Sequence, residues 1–193
     1  MEKINIAVLI SGRGSNLQAL IDACAQEAFP ARIGMVISND PTAYGLERAK
    51  SAGIKTEIVS HKGKSREEFE DALMAGLNKY EIDVVCLAGF MRILTPRFID
   101  QWPERLINIH PSLLPDYKGL HTHERVLQDG KEESGCTVHY VVPEMDSGPI
   151  IVQKRVPVIT GDTPESLAAR ILEQEHAAYT EAVRIVASKL KSH

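Results

Sequence analysis

The sequence predicts an α/β fold: a mostly parallel sheet flanked by helices on both faces, followed by antiparallel C-terminal strands and a long C-terminal helix. Three observations lead there. Up to residue 110, short β-branched runs alternate with longer segments of helical spacing, the rhythm of strand, helix, strand units with right-handed crossovers. The first run, INIAVLIS (4–11), is apolar almost without a break, as in a parallel strand covered on both sides. After residue 115 the rhythm changes to strand-like runs joined by a turn, which reads as an antiparallel addition.

The elements follow in order. After the 4–11 strand, residues 16–25 form a helix with Leu17, Leu20, Ile21 and Cys24 on one stripe. A strand at 32–38 leads to a helix at 44–53 stopped by Gly53, then a strand at 56–60. The helix 66–80 precedes the strand 82–89. Thr95 caps a short helix with Pro96 at its first position, running through Trp102, and LINIH (106–110) is the last parallel strand. DYKGLHTH (116–123) is a polar loop, 124–133 a short helix, and 136–142 and 149–158 the antiparallel pair. Thr163 and Pro164 open a final helix that extends to about Leu190. With no repeat, linker or composition break, the 193 residues are expected to form one domain, 1–193.

Composition narrows the function. Hydrophobic residues make up 44% and charged ones 25%, ordinary values for a soluble globular protein. Twenty-two basic against 26 acidic residues give a net charge of −4, which provides no broad basic field for nucleic acid. An anion must therefore be held locally. Cys24, Cys86 and Cys136 lie far apart, without the spacing of a zinc knuckle or a disulfide framework. The N-terminal apolar stretch is too short for a signal sequence, and no run approaches a membrane span, so the expected location is the cytoplasm.

Four stretches carry candidate chemistry. SGRGSN (11–16) joins the first strand to the first helix, where glycines expose backbone amides and Ser15 or Asn16 is placed to cap the helix. Such a turn offers a phosphate the positive end of a helix, or is simply a tight turn. A dinucleotide fingerprint needs glycine at position 17, which is Leu17, so a small phosphate ligand fits better than a nicotinamide cofactor. In LINIHP, Asn108 and His110 are two apart and share one face of the strand, and Pro111 ends the ladder. They therefore sit at the carboxyl edge, where open α/β sheets bind ligands. Asn can donate to a developing oxyanion and His exchanges protons near neutrality. A carboxylate to hold the imidazole charged is offered by Asp146 in the turn MDSGPI, whose bland reading is a plain turn residue.

AGFMRIL (88–94) follows the 82–89 strand; its apolar residues either pack under the sheet, the safer reading of the pattern alone, or wall a ligand slot. Glu175 falls in step with Leu167, Ile171 and Ala178 on the last helix, so it either snorkels from the stripe or accepts a proton from an amine. His121 and His123 form an HxH pair, but no further ligand motif accompanies them, and no metal is expected.

In their order along the chain, SGRGSN, SNDPTAYGLERA, AGFMRIL, NIHPSLLP, GLHTHERVL, GCTVHYV, EMDSGPI and QEHAAY resemble the folate-dependent phosphoribosylglycinamide formyltransferases, from about residue 4 to the end of the last helix. NIHPSLLP with DxGPI is specific to the wider folate formyltransferase group, and SGRGSN and QEHAxY point to the glycinamide ribonucleotide branch. The resemblance implies a Rossmann-like sheet with Asn108, His110 and Asp146 as catalytic residues. It implies that Gly14, Ser15 and Asn16 hold the substrate phosphate and that Glu175 contacts the glycinamide part. It further implies that Met91, Arg92, Ile93 and Leu94, with Asn108, bind the pterin of 10-formyltetrahydrofolate, and that Arg66 also binds folate. The implied partners are these two small molecules, with no metal, nucleic acid or membrane; a homodimer is compatible with the pattern. Lys118-Gly119 stands where some members have PG, and Arg13 where others have Asn. Rival readings are a formyltetrahydrofolate hydrolase, usually preceded by a further domain, and a catalytically silent nucleotide-binding module, in which Asn108, His110 or Asp146 would be lost.

Overall fold

The computed structural model describes residues 2–192. Its elements in chain order are β1 (Ile4–Ile10), α1 (Ser15–Cys24), β2 (Ala31–Ser38), α2 (Gly45–Ser51), β3 (Lys55–Ile58), α3 (Arg66–Leu77), β4 (Val84–Leu87), α4 (Pro96–Ile99), β5 (Leu106–His110), α5 (Thr122–Gln128), β6 (Glu133–Tyr140), β7 (Ile150–Pro157) and α6 (Pro164–Lys191). The strands form one seven-stranded sheet in the order β3-β2-β1-β4-β5-β6-β7. Pairs from β3 through β5 are parallel, whereas β5–β6 and β6–β7 are antiparallel.

The apolar runs read as two-faced strands are two-faced. In β1, Ile6, Val8 and Ile10 point into a core shared with α1, α2, α5 and α6, while Ala7 and Leu9 point into a second core beneath α3 and α4. The chain winds outward from β1 in one direction through β2 and β3, then returns to place β4 on the other side of β1. That reversal opens a crevice at the carboxyl ends of β1 and β4, the place where open α/β sheets bind ligands.

Several local expectations are corrected. The N-cap of α1 is Gly14, at φ 72°, with no side-chain cap; neither Ser15 nor Asn16 fills that role. Gly14 allows the left-handed turn that a side chain would resist. Thr95 does precede Pro96 at the start of α4, but its hydroxyl is drawn to Glu70 instead of capping the helix, which ends at Ile99. Helix α5 starts at Thr122 and stops at Gln128, because Gly130 turns the chain at φ 61° and residues from Glu133 onward join the sheet. Thr163 caps α6 as expected, in a reciprocal capping box with Ser166.

Candidate active site

A cavity of about 830 Å³ lies over the carboxyl ends of β1, β4 and β5. Asn16, Met91, Arg92, Ile93, Leu94, Asn108, His110, Asp146 and Glu175 all line it. Gly14 and Ser15 stand beside it at the start of α1, and Arg66 lines a small adjoining depression that shares Arg92 and Ile93 with the main cavity.

Strand β5 presents its polar pair through the antiparallel register with β6, where Asn108 lies opposite His139 and His110 opposite Thr137. Directly opposed residues share a face, so these four side chains project together. Thr137 anchors the chain just after β5: its hydroxyl donates to the Ser112 carbonyl at 2.7 Å and accepts from Leu114 N–H at 3.1 Å. The buried His110 ring donates from Nε2 to the Tyr117 carbonyl at 2.8 Å, and its Nδ1 lies 3.5 Å from Asp146 Oδ2. Both ring nitrogens thus face acceptors, and the ring supplies an N–H to each only when charged.

Asp146 is held at φ 49° and accepts from Gly119 N–H at 2.9 Å. The DSGPI turn must be glycine at its centre, since a Cβ on Gly148 would come within 1.7 Å of the Tyr140 carbonyl oxygen. His139 also faces the carboxylate: its Nδ1 pairs with the Tyr140 carbonyl, and its buried Nε2 is 3.9 Å from Asp146 Oδ1 without a hydrogen-bond partner among the described residues. Burial holds the His139 imidazole below its ordinary pKa, opposed by the Tyr140 bond and by Asp146. No sequence signal marks it, because its position opposite Asn108 depends on a register that only the folded sheet fixes.

On the other side, the turn after β1 leads into α1, of whose first residues Asn16 lines the cavity while Gly14 and Ser15 do not. A Cβ on Gly14 would meet Gly45 Cα at 2.7 Å, so α2 closes over a glycine-only turn. Replacing Gly14 with Ala is therefore expected to cost about 1–3 kcal/mol of stability, read from denaturant unfolding, and to weaken phosphate binding. Asn16 and Glu175, each only 8% exposed, meet across α1 and α6, with Asn16 Nδ2 donating to Glu175 Oε2 at 2.8 Å. Glu175 therefore does not snorkel; it is buried in the cavity wall. Burial pushes its carboxyl above the ordinary range, and the Asn16 amide partly opposes this.

A carboxyl so raised disfavours the folded state as pH climbs through its folded pKa, and the disfavour vanishes below the unfolded pKa. Glu175→Gln is thus expected to raise the melting temperature at pH 8, with a gain that shrinks toward acid pH. The same variant should raise the KM for an amine substrate about tenfold, by removing a charged hydrogen-bond acceptor.

The AGFMRIL segment divides its residues. Leu94 is buried in the second core, whereas Met91 and Ile93 are 66% and 63% exposed at the cavity mouth. The packing expectation is corrected for those two: the chain emerging from β4 turns outward at Gly89, φ 68°. Val141, Val142 and Met145 line the same cavity, so its lining carries two apolar segments distant in sequence. Of the residues departing from the resemblance, Lys118 bonds Ser147 Oγ beside the Asp146 turn, and the Arg13 carbonyl accepts from Arg48 Nε. Among the described residues, no group of three or more His, Cys, Asp or Glu side chains is placed to hold a metal ion.

An amide donor, an imidazole and a carboxylate lining a largely apolar cavity, beside the start of a helix, define an enzyme of the group-transfer class built on an open α/β sheet. Residues 4–183 match the model of the formyl transferase family, and the chain belongs to that family. It is 49% identical over 98% of its length to the phosphoribosylglycinamide formyltransferase of Escherichia coli (strain K12), covering 91% of that protein. It is 48% identical over 97% of its length to the human trifunctional purine biosynthetic protein adenosine-3, of which it spans 19%. The crystal structure of the phosphoribosylglycinamide formyltransferase from Brucella melitensis superposes with a TM-score of 0.93 at 47% identity, over 96% of each chain.

Proposed function

We propose that this chain transfers the formyl group of 10-formyltetrahydrofolate to the amine of glycinamide ribonucleotide, giving formylglycinamide ribonucleotide and tetrahydrofolate in purine synthesis. The observation that carries the reading is the convergence of Asn108, His110 and Asp146 with Asn16 and Glu175 on one cavity, in a chain of this family. The substrate phosphate rests on the amides of Gly14, Ser15 and Asn16, at the positive end of α1. Glu175 receives the glycinamide end. The pterin lies between Met91–Leu94 and the 141–145 wall, near Asn108, with Arg66 and Arg92 placed toward the carboxylates of the folate tail. Chemically the fit is good, since a flat heterocycle needs an apolar slot with a few fixed polar groups.

In the reaction, the neutral amine attacks the formyl carbon, and the carbonyl π electrons move onto oxygen. Asn108 and charged His110 donate to that oxygen; for His110 the formyl oxygen displaces the Tyr117 carbonyl that Nε2 now meets. Asp146 keeps the imidazole oriented and charge-balanced. N10 of the folate gains a proton and the attacking nitrogen loses one, either by way of His110, which gives its own proton to N10 before taking up the other, or through a water held by Asp146. The oxygen electron pair then re-forms the carbonyl as the C–N10 bond breaks with its pair on N10. No step calls for a metal. No helix among the described residues is long and apolar enough to cross a membrane, and we place the enzyme in the cytoplasm with its small-molecule substrates.

The test is the release of tetrahydrofolate from 10-formyltetrahydrofolate, followed by absorbance with and without glycinamide ribonucleotide. Release that depends on the ribonucleotide is expected. Equal release without it would make the reaction a hydrolysis, and no release in either case would overturn the reading.

A further inference from the structure

The loop after β4 lines the cavity, the turn after β1 leads into α1 beside it, and a hydroxyl joins these two segments distant in sequence. Ser11 Oγ accepts a hydrogen bond from Met91 N–H at 2.8 Å and donates to Asn39 Oδ1. Asn39 is buried at the end of β2, and its amide nitrogen pairs with His61 Nδ1 at 3.2 Å. The Ser11 proton is thereby committed to Asn39, and its lone pair is turned toward Met91. At the far end of the same segment, the buried carboxylate of Glu70 accepts from both Thr95 N–H and Thr95 Oγ1, each at 2.6 Å. Residues 91–94 are therefore clamped at both ends. The Glu70 clamp leads into α3, but the Ser11 clamp leads directly into the turn that precedes the α1 amides.

We propose that Ser11 is a positioning residue through which the two substrates strengthen each other's binding. The proposal rests on the assignment above of the phosphate to the 14–16 amides and of the folate to the 91–94 wall. A phosphate bound at the start of α1 immobilises the turn from Ser11 to Gly14, and with it the hydroxyl that fixes Met91. A pterin against Met91 immobilises the same hydroxyl from the other side. Each ligand thus bears part of the ordering that the other would otherwise bear alone, and linkage requires the effect to be equal in both directions. A serine that merely satisfied turn polarity would affect stability but leave the two affinities independent.

The experiment is calorimetric titration of the full-length chain with tetrahydrofolate, in the absence and presence of saturating glycinamide ribonucleotide, under reducing conditions. In the unaltered protein, the ribonucleotide is expected to tighten tetrahydrofolate binding about fivefold or more. In Ser11→Ala that factor should fall to about one, with the Kd for ribonucleotide alone changed less than about twofold, because the α1 amides stay in place. Ser11→Thr, which keeps the hydroxyl, should restore the factor. If Ser11→Ala does not fold, Ser11→Cys supplies a near-isosteric side chain with a poor acceptor and should show the same loss. Coupling that persists in Ser11→Ala or Ser11→Cys overturns the proposal, as does independent binding of the two ligands to the unaltered protein. Failure of the unaltered protein to bind either ligand overturns the functional reading itself.

Discussion

Replacing His110 with Ala is expected to lower turnover by about 10²–10⁴-fold, the usual contribution of a positioned acid–base group, while KM for both substrates changes little. The asymmetry follows from geometry. His110 is buried in the cavity lining, with Nε2 toward the Tyr117 carbonyl and Nδ1 toward Asp146. In the proposed reaction it meets the formyl group, whereas the phosphate and the pterin are assigned to other residues. The substitution also removes the imidazole that lies beside the Asp146 carboxylate, so melting curves should accompany the kinetics. Turnover within tenfold of the parent in a folded variant would remove His110 from the chemistry.

Asn108→Ala is expected to reduce turnover about 10²–10³-fold, the typical cost of losing one preorganised donor to an oxyanion. Asn108 lies on β5 opposite His139, so it is set by two paired strands and needs no rearrangement to donate. Binding of tetrahydrofolate, which carries no formyl oxygen, should be weakened far less than turnover. A parallel loss of tetrahydrofolate affinity and rate would leave Asn108 with its pterin-binding role alone.

These two residues were the most legible part of the site. A strand period of two puts Asn108 and His110 on one face, and Pro111 fixes where the strand must end, so three neighbouring letters place them at the carboxyl edge. The sheet was legible for the same reason: continuous apolar runs such as β1 require cover on both sides, and two separate cores provide it. Asp146 was nameable, but its approach to His110 was not, because β6 and a glycine-dependent turn intervene. Helical spacing put Glu175 on the apolar stripe without revealing that Asn16 would meet it there. The contacts of Ser11 and Glu70 escaped notice for a common physical cause. Each acts through a partner distant in sequence, and a lone polar residue in a turn, helix or strand carries no periodic mark of such a contact.

The meeting of Asn16 with Glu175 spans 159 positions, joining the first helix to the last. In the order of synthesis, β1 to β7 all emerge before α6, yet one wall of the cavity belongs to α6, which also sends the buried Tyr179 hydroxyl to the Leu87 carbonyl at the end of β4 at 2.7 Å. A nascent chain lacking α6 therefore has its His110 strand but not the Asn16–Glu175 contact of the cavity lining. Competence to bind should arrive late and all at once, when the final helix docks, and incomplete chains would be kept from trapping substrate.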